Sequence, residues 1–131
     1  MIVVDTNVLC YLALPGESSE LAHRLYARDP QWCAPLLWIA ELRNVLAGQV
    51  RRKSVTLETA VVIALRLETV MRGREFKVRS DDVLSLASRS GCTAYDCEFV
   101  ALAKELRVAL VTSDKQVLTA FPDVARSLAT A

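Results

Sequence analysis

Ile2-Val3-Val4-Asp5-Thr6-Asn7 opens the chain with a short β-branched apolar run that ends in a carboxylate. Met1 to Val4 reads as a buried strand with Asp5 at its end, and Thr6-Asn7 can cap a helix over Val8 to Leu14. Near the other terminus the arrangement recurs. Val108 to Thr112 is a second buried strand built on Ala109-Leu110-Val111, and Asp114 lies just past it. In open α/β sheets, ligands bind outside the carboxyl ends of the strands, where strand order reverses. Both acids are therefore expected at that edge.

The chain between these runs alternates helices with short strands. Pro15-Gly16 breaks the first helix, and Ser18 to Arg28 carries Leu21, Ala22, Leu25 and Tyr26 at helical spacing. Gln31 to Ala34 is a short strand candidate, and Pro35 suits the first turn of a helix running to about Val50. After the polar link Arg51-Arg52-Lys53-Ser54, Leu57 to Met71 is strongly helical. Glu75 to Val78 reads as a weak strand. Ser80 to Ser88 and Thr93 to Leu106 read as helices separated by Gly91. Ser113 starts a last helix closed by Phe121-Pro122, and Val124 to Arg126 reads as an edge strand. This alternation predicts a layered α/β domain with a parallel sheet. With no linker, repeat or low-complexity segment, residues 1–131 read as a single domain.

Bulk properties narrow the class. The hydrophobic share is 53% and the mean hydropathy +0.28, which implies a dense core or an apolar face covered by a partner. No apolar stretch approaches the ~18 residues needed to span a bilayer. The first 15 residues lack the basic flank and cleavage site of a signal peptide, so a cytoplasmic, membrane-free protein is expected. Sixteen basic against fifteen acidic residues leave +1, too little to bind nucleic acid by a uniform field. The four cysteines form no C-x-x-C pair and the one histidine, His23, has no cysteine nearby. Zinc spacing is absent, and the cysteines are expected to be reduced core residues.

Two more acids stand out. Glu41 lies within Leu36-Leu37-Trp38-Ile39-Ala40-Glu41-Leu42, and its helical neighbours are Leu37, Trp38 and Val45. An unpaired carboxylate on an apolar stripe is costly unless it finds an ion pair or a metal. Asp96 follows Thr93 by three residues and can complete a capping box, as Gln116 can with Ser113 beside Asp114. Capping alone accounts for Asp96 and Asp114, and in part for Asp5; Glu41 is the acid that structure explains least. Asp81 and Asp82 suit a first helical turn. Glu98 is expected to point elsewhere.

Four convergent carboxylates repel one another, and a divalent cation relieves the repulsion. Oxygen-only ligation favours Mg²⁺ or Mn²⁺ over zinc. Such a site can activate water and neutralise charge at phosphorus, so phosphodiester hydrolysis is the natural reaction class. No Walker, dinucleotide-binding or kinase motif is present.

Here the chain resembles a known family. Val3-Val4-Asp5-Thr6-Asn7-Val8-Leu9, Leu36 to Leu42, Thr93 to Ala103, and Leu110-Val111-Thr112-Ser113-Asp114 are similar, in order and spacing, to the four acidic motifs of PIN-domain ribonucleases, and most of all to VapC-type toxins of toxin–antitoxin pairs. The resemblance covers the whole chain. It implies a three-layer α/β/α fold with a parallel sheet of four or five strands. It also implies Mg²⁺- or Mn²⁺-dependent endoribonuclease activity on RNA. By motif match, Asp5 and Asp96 hold the metal, and Glu41 shares it directly or through water. Asp114 completes the acidic pocket, and Asn7 and Thr112 orient the carboxylates by hydrogen bonds. A homodimer and a small cognate antitoxin that inserts into the site's groove are the implied partners.

Three rivals use the same residues: a PIN-like interaction module without activity, a phosphoacceptor receiver domain, and a metal nuclease acting on DNA. A scaffold has no need of Glu41 in an apolar stripe. Lys115, directly after Asp114, is poorly placed for the receiver chemistry.

Overall fold

The computed structural model describes all of residues 1–131. Five short strands form one fully parallel sheet: β1 (Ile2–Val4), β2 (Trp32–Pro35), β3 (Glu75–Phe76), β4 (Leu110–Thr112) and β5 (Ala125–Ser127), in the spatial order β3-β2-β1-β4-β5. Seven helices connect and cover them: α1 (Thr6–Ala13), α2 (Ser19–Arg28), α3 (Trp38–Arg51), α4 (Leu57–Met71), α5 (Ser80–Ser90), α6 (Ala94–Leu106) and α7 (Lys115–Ala120). α6 lies across β1, β2 and β4 with α5 packed on it, while α1 to α4 pack together and meet the sheet at β4 and β2. The result is the three-layer α/β/α arrangement that the alternating pattern and the resemblance imply.

The order places β1 at the centre, because its run Ile2-Val3-Val4 is apolar on both faces, as a strand covered on both sides must be. Val3 pairs with Cys33 on one side and Leu110 on the other. From β1 the chain moves outward to β2 and β3, then crosses back to β4 and β5. Strand order therefore reverses between β1 and β4, and a crevice opens at their carboxyl ends. The core beneath joins 33 buried residues, with Trp32 and Trp38 fully enclosed. Trp38 donates its indole N–H to Glu75 Oε1 at 2.6 Å, which pins the start of α3 to β3.

Several boundaries differ from the sequence expectation. Pro35 does not open α3; it closes β2, paired with Phe76. The ladder explains this. Ala34 donates to the Arg74 carbonyl and Leu36 to the Phe76 carbonyl, so Pro35 falls where no N–H is required. Helix α3 begins only at Trp38. Asp5, rather than Thr6-Asn7, caps α1. Asp114, rather than Ser113, caps α7, and Gln116 donates to the Gly91 carbonyl instead of closing a capping box. Gly91 ends α5 in the left-handed region at φ 75°, a conformation that glycine adopts at little cost.

Candidate active site

Four segments deliver carboxylates to the crevice. Asp5 leaves β1 at its carboxyl end and turns the chain into α1: its Oδ1 accepts from the Val8 amide at 2.9 Å. Its Oδ2 accepts from the Thr112 hydroxyl and from the Ser113 amide at 3.2 Å. Thr112 ends β4 and is almost fully buried, and the same hydroxyl accepts from the Asp114 amide at 3.0 Å. Thr112 thus links the two strand-end acids. Asp114 Oδ1 accepts from the Val117 amide at 3.0 Å and caps α7. Asp96 stands in the first turn of α6, where its amide donates to the Thr93 hydroxyl at 3.1 Å. Its carboxylate does not close the reciprocal half of the capping box. Glu41, in the first turn of α3, accepts from the Thr6 hydroxyl at 2.8 Å through Oε1.

All four acids line one open pocket of about 100 Å³, with Thr6, Asn7 and Thr112 beside them and Val45, Phe99 and Val117 as its apolar wall. None of the four pairs with a lysine or arginine. The ion-pair explanation for Glu41 therefore fails; the nearest arginine in sequence, Arg43, faces Glu68 at 3.9 Å. The capping explanations for Asp5 and Asp114 hold: each cap occupies one carboxylate oxygen, and the other oxygen of Asp5 accepts from Thr112 and Ser113. Asn7 sits at the exposed rim and makes no side-chain hydrogen bond. Thr6, not singled out from the sequence, makes the contact that orients Glu41. The readable signal was its place immediately after the strand-end acid; its partner 35 residues away was not readable.

Burial without counter-charge sets the electrostatics. Burial pushes the Asp5 carboxyl above the ordinary carboxylate range, opposed by its three hydrogen bonds and reinforced by the charge of Asp114. Burial raises Glu41 as well, with Thr6 opposing and Asp96, Asp5 and Glu98 adding repulsion. Asp96 is raised by burial and by Asp114, against the Thr93 hydroxyl. Glu98 lines a neighbouring cleft with Leu36 and Lys77 rather than this pocket, yet Glu41 feels its charge. Cys10 lies beneath the acids. Burial, with Asp5 and Glu41 nearby, pushes its thiol up to about 12, so it stays protonated and cannot serve as a nucleophile at neutral pH.

An uncompensated group of carboxylates in a crevice fits a hard divalent cation, and the donor set is oxygen only. No three acidic, cysteine or histidine side chains stand close enough to form a ready-made cage.

Comparison with known proteins shows the family and the fold. The family model for the PIN domain matches residues 2–126. Ribonuclease VapC3 of Pyrobaculum aerophilum is 30% identical over 126 residues, in an alignment that covers 92% of this chain and 95% of that protein. Among solved structures, PAE2754 from the same organism superposes with a TM-score of 0.76 at 23% identity, covering 98% of this chain and 90% of that one. A toxin–antitoxin complex from Klebsiella pneumoniae superposes with a TM-score of 0.70 at 16% identity and 98% coverage of each chain.

Proposed function

The chain belongs to the PIN domain family, and from that premise we propose that it is a metal-dependent endoribonuclease, the toxin of a toxin–antitoxin pair, with all of residues 1–131 serving as its nuclease domain. The observation that carries the reading is the convergence of Asp5, Glu41, Asp96 and Asp114 on one pocket with no basic partner. The ribonuclease name of the VapC3 relative supports the reaction class.

Asp5 and Asp96 would hold the cation, Mg²⁺ or Mn²⁺, and Asp114 would act through water or at a weaker second position. When bound, the ion supplies positive charge to a phosphodiester and lowers the pKa of water. Thr112 fixes Asp5, so the ligand does not reorganise as the cation enters. Glu41 is held through Oε1 and lines the pocket, where its carboxylate would share the cation directly or through water and take a proton from the attacking water. Val45, Phe99 and Val117 keep one wall dry, which strengthens each charge interaction inside. With a net charge of only +1, RNA binding would need a local arginine surface rather than a global field.

The test is incubation of the protein with single-stranded RNA and with DNA of the same sequence, in Mg²⁺ or Mn²⁺ and in EDTA. Cleavage of RNA that EDTA abolishes is expected. Cleavage of DNA alone, or EDTA-resistant cleavage, contradicts the reading.

A cognate antitoxin is part of the same proposal; the seat we propose for it is not the groove of the acidic site but one of about 480 Å³ between α3 and α4. Leu46, Ala47 and Val50 face Leu57, Val61 and Leu65 across it, between Arg43 and Arg51. Leu57 and Leu65 are 67% and 58% exposed, an apolar stripe at helical spacing that suits an apolar-faced antitoxin helix with acidic flanks. Leu65→Asp, at an exposed site that does not touch the fold's core, is expected to abolish co-purification with the antitoxin and to leave RNA cleavage unchanged. Equal recovery of the antitoxin places its seat elsewhere. We assign the working form as a cytoplasmic homodimer. Four reduced, buried cysteines suit a reducing compartment, and no helix is long and apolar enough to cross a membrane.

A further inference from the structure

We infer that Thr6 is the positioning residue for Glu41, and that the Asp5-Thr6 dipeptide is the joint that sets two separate acids into one working geometry. The inference rests on the nuclease reading for its consequence, but its geometry stands apart from it. Thr6 is only 6% exposed, one of two buried polar residues in the chain, and the other is Thr112. Its hydroxyl donates to Glu41 Oε1 at 2.8 Å across 35 residues of sequence. A buried hydroxyl needs a partner, and a threonine inside a helix usually finds one in the carbonyl a turn earlier. Thr6 is the first residue of α1, so no helical carbonyl precedes it. Its proton is left for the carboxylate. The β-branch restricts χ1, so the hydroxyl has few other directions to take.

Glu41 has no other hydrogen-bond donor. A glutamate side chain has three torsions to order, and one fixed oxygen removes most of that freedom. Holding Oε1 determines where Oε2 points. Asp5 is fixed in parallel by Thr112, Val8 and Ser113. Two consecutive residues at the β1–α1 junction thereby define the relative placement of acids carried by β1 and α3. Thr6 and Thr112 play matching parts: each is a buried hydroxyl that donates to one carboxylate.

The test compares Thr6→Val, which keeps the shape and deletes the donor, with Thr6→Ser, which keeps the donor. Two quantities are read: kcat and KM for RNA in Mn²⁺, and the side-chain carboxyl ¹³C resonance of Glu41 in metal-free protein. Thr6→Val is expected to lower kcat by about 10–100-fold with KM within about 2-fold, and to displace the Glu41 resonance. Thr6→Ser is expected to restore both. Should Thr6→Val fail to fold, Thr6→Ala removes the same donor without apolar bulk. An unmoved Glu41 resonance or an unchanged kcat overturns the inference, as does a Thr6→Ser protein that behaves like Thr6→Val. If the wild-type protein cuts no RNA, the nuclease reading fails on its own, and the Glu41 resonance alone judges whether Thr6 holds that carboxylate.

Discussion

Asp96→Asn is expected to lower RNA cleavage by about 1,000-fold and, at the same time, to raise the melting temperature of the metal-free protein at pH 7.5 by about 3 °C. The two effects have one cause. Asp96 sits in a place that disfavours its charge: burial raises its pKa, and Asp114 adds repulsion. Asparagine keeps the shape and removes the charge. Its carbonyl is a weaker ligand, so the cation loses one of its two principal anchors. The fold meanwhile loses a repulsion that no basic residue offsets. Sites built for function carry such destabilising charge routinely. The variant is measured by initial cleavage rate and by thermal melting in EDTA. Lost activity together with a lowered melting temperature would make Asp96 a structural residue instead.

Divalent cation is expected to stabilise the protein strongly at neutral pH and hardly at all in acid. Asp5, Glu41 and Asp96 all have folded-state pKa values raised above their ordinary ones, chiefly by burial. A raised acid contributes stability that is fully present below the unfolded value, near 4, and is lost as pH rises through the folded value. The metal-free protein therefore loses stability at this site as the three carboxylates ionise. Asp29, Asp81 and Asp123 have the opposite sign, because each is lowered by a cationic partner: the chain's amino terminus, Arg79 and Lys104 respectively. They lie on the surface, contribute little, and do not sense the site. A cation at 100 times its Kd adds about 2.7 kcal/mol, or about 8 °C for a domain of this size. Melting curves at pH 7.5 and pH 4.5, each with and without Mn²⁺, read the difference. A shift of equal size at both pH values places the ion on some other group.

Which parts were readable in advance follows from how local their causes are. Val3-Val4-Asp5 and Leu110-Val111-Thr112 could be read as buried strands because an apolar run ending in a polar residue is a local pattern. Leu57–Met71 was readable because its apolar period extends over four turns. Pro35 was misread because its tolerance depends on which side of β2 faces β3, and strand order is not a local property. The cap of α7 was misassigned by one residue for a related reason. Ser113 looks like the better cap in isolation, but its amide is committed to Asp5, so the turn starts at Asp114. Glu41 could be named because it sits wrongly for a purely structural residue, whereas Asp5, Asp96 and Asp114 have capping explanations and were named chiefly by their places in the motifs that resemble the family. The Thr6–Glu41 bond could not be named, since it exists only once α1 and α3 are packed side by side.

The most direct measurement follows Mn²⁺ occupancy, by electron paramagnetic resonance, and RNA cleavage in one titration of the wild-type protein and of Asp96→Asn at pH 7.5. The expected result is a cleavage rate that rises in step with occupancy in the wild type, with weak occupancy and negligible cleavage in the variant. Full cleavage before any Mn²⁺ is bound, or an Asp96→Asn protein that binds and cuts as the wild type does, would contradict the assignment of the acidic crevice as the metal-dependent site of RNA hydrolysis.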